Sequence, residues 1–148
     1  MDFNLGLLGA SVVLGLSAIG SGIGAGIAGQ AVIGGWKKCY LANKPAAMTM
    51  LAFGGAPLTQ TFYGFILGML FMKPAALANP EHGIFYLGLG IASGAAIGYS
   101  AVAQGKAGAA GADALSSADT GFVNYMMIVG ICETVAIFAM VLSMISLS

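Results

Sequence analysis

Charge is what this sequence has least of. Only 7% of its 148 residues are charged while 59% are hydrophobic, and a soluble domain carries about 25% charged residues. A water-facing surface cannot be built from such a composition, so the chain must face lipid. Arginine is absent, and the five lysines are matched by five acids. That excludes the basic surface a nucleic-acid partner requires. Cys39 and Cys132 have no second cysteine or histidine near them, which excludes a sequence-local zinc pattern; Cys132 reads as a small hydrophobe inside an apolar run. Met1-Asp2 lacks the basic region of a signal peptide, so the first apolar stretch is expected to be a retained span. Prolines number only four against 24 glycines. Glycine is frequent in membrane helices, where it lets helices approach closely.

The few charges mark the spans. No charge separates Asp2 from Lys37; 28 uncharged residues lie between Lys44 and Lys73, and 23 between His82 and Lys106. After Asp119 the one charge is Glu133. Each interval exceeds the roughly 20 residues that a helix needs to cross a bilayer. The spacing predicts an all-α transmembrane protein of four helices, over about 5–43, 46–73, 83–115 and 119–147. Lys37, Lys38 and Lys44 fall in the first connection and Lys106 near the third; Lys73, Glu81 and His82 fall in the second. By the positive-inside rule the first and third connections are cytoplasmic, and both termini lie outside.

A shift of 74 residues aligns the two halves. Gly20, Gly24 and Gly34 then fall on Gly94, Gly98 and Gly108, Gln30 on Gln104, and Thr59 on Glu133. The expected organisation is two duplicated hairpins, 1–74 and 75–148, sharing one direction across the membrane. The first and third helices are thin, with runs such as Gly20-Ser21-Gly22-Ile23-Gly24-Ala25-Gly26. The second and fourth carry bulk, including Phe53, Phe62, Tyr63, Phe65, Phe71, Ile137 and Phe138. Thin helices beside thick ones make a wedge, and wedges side by side close a homo-oligomeric ring; alternatively the small residues pack one four-helix monomer.

Glu133 lies 14 residues after Asp119, about 21 Å into the span at 1.5 Å per residue. A charge at that depth costs about 2.5–3.5 kcal/mol on insertion scales, which makes it a functional candidate. With no intramembrane Lys or Arg in the chain, its counter-charge is a proton, a metal cation or a residue of a partner. Thr59 and Gln60 sit at mid-depth of the second helix and Gln104 late in the third. Their oxygens are acceptors suited to a hard cation. Two amides and a hydroxyl are more than a proton needs and suit Na⁺. Each taken singly is equally well explained as a bond between helices. Tyr63, one turn past Thr59, is either a hydrogen-bond partner of the carboxylate or a packing aromatic. Pro57 removes an amide donor just before Thr59 and deprives the Phe53 carbonyl of its usual partner.

Depth constrains the hairpins. For Gln104 to meet Glu133 the turn must lie near 118–119; for Gln30 to stand level with Thr59 it must lie near 44–45. The first and third helices are therefore expected to overrun the bilayer, through Trp36–Ala42 and Ala107–Ala114.

These residues resemble a family, the membrane-ring proteolipid (the K or c subunit) of V-type and bacterial or archaeal A/V-type rotary ATPases. The resemblance spans nearly the whole chain. It is carried by the Gly-rich first helix, Ala56-Pro57-Leu58-Thr59-Gln60-Thr61-Phe62-Tyr63-Gly64, Ala103-Gln104-Gly105 and Glu133-Thr134-Val135-Ala136-Ile137. The Pro-x-Thr-Gln stretch is similar to the Na⁺-coupled branch. The resemblance implies that Glu133, Gln104, Thr59 and Gln60 give side-chain oxygens to Na⁺, that the Ala56 backbone carbonyl gives another, and that Tyr63 bonds to Glu133. Ala56 stands where Na⁺-type relatives have a larger aliphatic residue, and Leu58 where some have glycine.

The resemblance further implies a rotor ring of identical copies in lipid. That ring turns against a stator membrane subunit bearing an Arg, and a central-stalk subunit on its cytoplasmic side couples ion flow to ATP hydrolysis or synthesis. The expected setting is a prokaryotic plasma membrane. No phosphate loop is present, so no catalytic site is expected in this chain. H⁺ in place of Na⁺ is the nearer alternative. A small multidrug/proton antiporter also has four helices and one intramembrane carboxylate, but it needs an aromatic, roomy pocket around that carboxylate. A pore-forming or structural proteolipid is a third reading.

Overall fold

The computed structural model describes residues 4–147. Among them the regular elements are all helical, and four helices are long and apolar enough to cross a bilayer. They are α1, Leu5–Leu41; α2, Met48–Ala78; α3, Gly83–Ala118; and α4, Phe122–Ile145. Asp2 lies outside the described residues. The 37 residues of α1 span about 55 Å against a hydrocarbon core of about 30 Å, so α1 overruns it, and α3 likewise.

The helix ends follow local chemistry. Asn4 caps α1, its side-chain oxygen accepting from the amides of Gly6 at 2.9 Å and Leu7 at 3.2 Å. Its amide nitrogen donates to the Ala76 carbonyl at 3.1 Å, tying the start of α1 to the end of α2. At the other end Asn43 takes φ 53° just ahead of Lys44-Pro45, where a helical backbone is disfavoured. α1 thus stops at Leu41 rather than 43, and α2 starts at Met48 rather than 46. The turn after α3 is closed by left-handed backbone at Asp119 (φ 55°) and Gly121 (φ 89°), so α4 starts at Phe122 rather than 119.

Lys73-Pro74, which reads as a stop, does not end α2. Proline sits in the first turn of a last helical stretch, Lys73–Ala78, where its missing amide is tolerated. The stretch just upstream, Ile66–Met72, is a π-helical turn, and Ala56–Leu58, around Pro57, is a 3₁₀ turn. Between these two irregularities lies the regular segment Thr59–Phe65.

α1 and α3 run parallel with their backbones in contact. A methyl group added at Gly20 would lie 2.1 Å from the Gly98 carbonyl oxygen, and one at Gly105 would lie 2.2 Å from that of Gly24. Glycine here is required by close approach. α2 runs antiparallel to α1, with Gly68 against Ala10, Gly64 against Ser17 and Pro57 against Gly24. α4 returns along α3, where the Ser100 hydroxyl donates to the Cys132 carbonyl at 2.6 Å. Two exposed ion pairs, Lys38–Asp113 and Lys44–Asp119, join the hairpins at the end that carries the first and third connections.

The hairpins are not related by one uniform shift. α2 and α4 start 74 residues apart, at Met48 and Phe122, whereas α1 and α3 end 77 apart, at Leu41 and Ala118. The first connection is longer by the difference. Gln30 is therefore eleven residues from the end of α1, while Gln104 is fourteen from the end of α3. Gln30 is exposed and Gln104 is buried, so the match between them in sequence is not a match in space.

Two apolar clusters form the interior. One gathers Val13, Leu67, Met72, Ile97 and Ala136. The other, toward the first and third connections, gathers Val32, Met50, Phe53, Ala112, Leu115 and Val129. Along α2, α3 and α4 alike, the polar residues Gln60, Gln104 and Glu133 fall between the two.

Candidate ion-binding site

Glu133 stands at the midpoint of α4, eleven residues past Phe122 and twelve before Ile145. Such a helix is about 36 Å long, so its centre is as far from water as the span allows. The carboxylate is half-buried within the protomer. Each oxygen meets a neutral donor. The Tyr63 hydroxyl on α2 donates to Oε1 at 2.6 Å, and the Gln104 amide on α3 donates to Oε2 at 3.4 Å. The first of these decides the alternative that sequence left open for Tyr63.

Gln104 is held from both sides. Its Nε2 also donates to the Val129 carbonyl at 3.1 Å, and its Oε1 accepts from Gln60 Nε2 at 2.8 Å. Gln60 and Gln104 are both fully buried. The chain of bonds continues to Thr59, whose hydroxyl lies 3.0 Å from the Ala56 carbonyl, to which it donates, and 3.3 Å from Gln60 Oε1. Thr59, Gln60, Gln104, Glu133, Tyr63 and the Ala56 carbonyl thus form one connected group drawn from three helices. The 3₁₀ turn at Pro57 explains why Ala56 is the carbonyl at the site. In that turn the Thr59 amide, as well as its hydroxyl, bonds to Ala56. The Phe53 carbonyl, to which Pro57 cannot donate, lies instead against Gly108. Leu58 points outward and is exposed, so it does not touch the group.

Two members of the arrangement are not singled out by sequence alone. The Val129 carbonyl, one turn before Glu133, anchors Gln104; a backbone atom leaves no trace in residue identity. Ser100 pins α3 to α4 beside Glu133. It lies one turn before Gln104, so the shared helix face is the signal that points to it.

The electrostatics are one-sided. Among the described residues no cation lies near Glu133, and the two ion pairs are at the helix ends. Hydrogen bonds from a phenol and an amide fix the orientation of the carboxylate. The acceptor oxygens around it are those of Thr59, Gln60, Gln104 and Ala56. This donor set is the oxygen-only kind that suits hard cations.

The architecture is that of a four-span helical membrane protein with a carboxylate at mid-depth, bonded among the described residues to the neutral groups of Tyr63 and Gln104. Residues 87–146 match the family model of the ATP synthase C subunit. Over 144 residues, 97% of this chain, the sequence is 34% identical to A-type ATP synthase subunit K of Methanocaldococcus jannaschii. The chain spans 61% of that relative's length. The chain is thus similar to the ATP synthase C subunit over much of its second half and to an A-type ATP synthase K subunit over nearly its whole length.

Proposed function

We propose that this chain is the ion-carrying rotor subunit of a rotary ATPase, with Na⁺ as its cargo at Glu133. The observation that carries the reading is the hydrogen-bonded group in which Tyr63 and Gln104 meet one mid-membrane carboxylate, and Gln60 and Thr59 join it through Gln104, with no basic partner among the described residues. A bound cation makes the site electrically neutral, and a neutral site moves through lipid without the cost of a bare charge. Glu133 supplies the balancing negative charge. The oxygens of Thr59, Gln60, Gln104 and Ala56 replace water around the ion. Tyr63 holds the carboxylate in the orientation that faces them.

In this reading identical copies close into a ring. The exposed glycines Gly15, Gly22 and Gly26 of α1, which meet nothing in the protomer, leave room for a neighbouring α1. The bulky exposed side chains of α2 and α4, such as Phe62, Phe65 and Phe138, face lipid. A stator subunit bearing an Arg competes for Glu133 and releases the ion. Each unit charge crossing 100 mV then contributes about 2.3 kcal/mol to rotation, which a central-stalk subunit passes to the ATP-handling head. Lys37, Lys38, Lys44 and Lys106 put the head on the side of the first and third connections, with the termini opposite.

Labelling of Glu133 by a hydrophobic carbodiimide tests the cargo, because the reagent attacks the protonated, ion-free carboxyl. Added Na⁺ at neutral pH is expected to protect Glu133. Labelling that responds to pH but ignores Na⁺ assigns H⁺ instead. Glu133→Gln is expected to abolish ion transport while leaving the fold intact; transport that survives it rejects the role of this residue altogether.

A further inference from the structure

Ser21 is a buried residue of α1, 1% exposed, whose hydroxyl has no hydrogen-bond partner among the described residues. The other helical serines mostly return a bond to a carbonyl one turn back. Ser17 donates to Val13 at 2.7 Å, Ser93 to Leu89 at 2.6 Å and Ser143 to Ala139 at 2.7 Å. Ser21 does not, although an unmet buried hydroxyl is costly.

Its position explains what it faces. α1 and α2 are antiparallel, with Ser17 against Gly64 and Gly24 against Pro57. Ser21 is one turn past Ser17 on the same stripe of α1, which brings it level with Gln60. Gln60 is itself fully buried, and the one bond its amide nitrogen is seen to donate goes to Gln104 Oε1 at 2.8 Å. That bond occupies one of the two lone pairs of Gln104 Oε1, the oxygen that the loaded site proposed above turns toward the cation. As the cation draws both amide oxygens to itself, the Gln60 NH₂ needs an acceptor elsewhere. A buried NH₂ without an acceptor would oppose loading.

We infer that Ser21 is a positioning residue of the ion site: its hydroxyl oxygen is the acceptor that takes the Gln60 amide when the cation binds. The inference rests on the Na⁺ reading given above. An acceptor that is idle in the ion-free site and engaged in the loaded one offsets the loss of the Gln60–Gln104 bond. Ser21 touches neither the ion nor Glu133; it acts through Gln60.

The test uses the full-length chain in its assembled, detergent-purified form and reads Na⁺ protection of Glu133 from carbodiimide. Ser21→Ala is expected to raise the Na⁺ concentration for half-protection roughly tenfold, the order expected for one unmet buried hydrogen bond. Labelling without Na⁺ is expected to stay as in wild type, and melting without Na⁺ to stay the same or rise because the hydroxyl is unmet in the ion-free site, a split that a merely packing role would not produce. Ser21→Cys, similar in size with a weaker acceptor, is expected to fall between the two, and it decides the matter if Ser21→Ala does not assemble. A half-protection concentration unchanged in either assembled variant, with wild type protected, overturns the role of Ser21 alone. A wild type that Na⁺ does not protect overturns the Na⁺ reading and this inference with it.

Discussion

The Tyr63 hydroxyl donates a 2.6 Å hydrogen bond to Glu133, joining α2 to α4 across 70 residues of sequence. It is the direct link between the first hairpin and the carboxylate of the second. A bond to a charged acceptor contributes about 1.5–3 kcal/mol. Tyr63→Phe keeps the ring and removes the donor. It is expected to weaken Na⁺ protection of Glu133 about tenfold or more, read as the shift in half-protection concentration, with little change in the amount of assembled protein.

Gln104 has a different vulnerability, because it satisfies others. Gln104→Leu leaves the Gln60 amide and the Val129 carbonyl facing an apolar side chain. Each unmet buried group costs about 1–3 kcal/mol. A lower melting temperature in detergent is expected together with loss of Na⁺ protection, whereas Tyr63→Phe should lose protection with little melting change. Equal melting for wild type and Gln104→Leu would contradict the network described.

Glycine positions divide into two kinds that mutation separates. Gly20→Ala forces a methyl against the Gly98 carbonyl, an overpacking that costs about 1–3 kcal/mol or more. It is expected to disrupt the protomer itself. Gly15→Ala meets nothing within the protomer, so the protomer should fold. If α1 packs against α1 of a neighbour, the same variant lowers the temperature at which the oligomer dissociates on a detergent gel.

The ion pairs between hairpins are expected to matter little. Lys44 is held above its usual pKa of 10.5 by the hydrogen bond and charge of Asp119. A raised lysine pKa stabilises the folded state below about 10.5, and that contribution disappears as pH climbs through the folded value. Both partners are about half exposed, so salt screens the pair. Lys44→Met should leave melting near neutral pH almost unchanged; a large drop would show that the pair holds the hairpins together.

Glu133, Gln104, Thr59 and Gln60 were legible in the sequence because each is a polar residue in an apolar span, and because equal depth in an antiparallel hairpin constrains which of them meet. Tyr63 was only half legible, since a tyrosine in a span is explained equally well by packing. The Val129 carbonyl was not legible at all. Helix ends were off by up to five residues, as at Lys73-Pro74, because a proline at the start of a helical stretch reads like one that ends it. The register of 74 suited α2 and α4, yet it paired Gln30 with Gln104. Side-chain identity does not record that the first connection is longer than the third.

The two irregular turns of α2 have a consequence for how the hairpins fit. A 3₁₀ turn is wound more tightly than an α-helix and a π-helical turn more loosely, so Ala56–Leu58 and Ile66–Met72 rotate the chain in opposite senses. The seven residues between them are thereby swivelled relative to the rest of the rod, while its two ends keep their own contacts with α1. The aim of Thr59, Gln60 and Tyr63 is thus adjusted locally, like a vane on a fixed mast, without moving the mast.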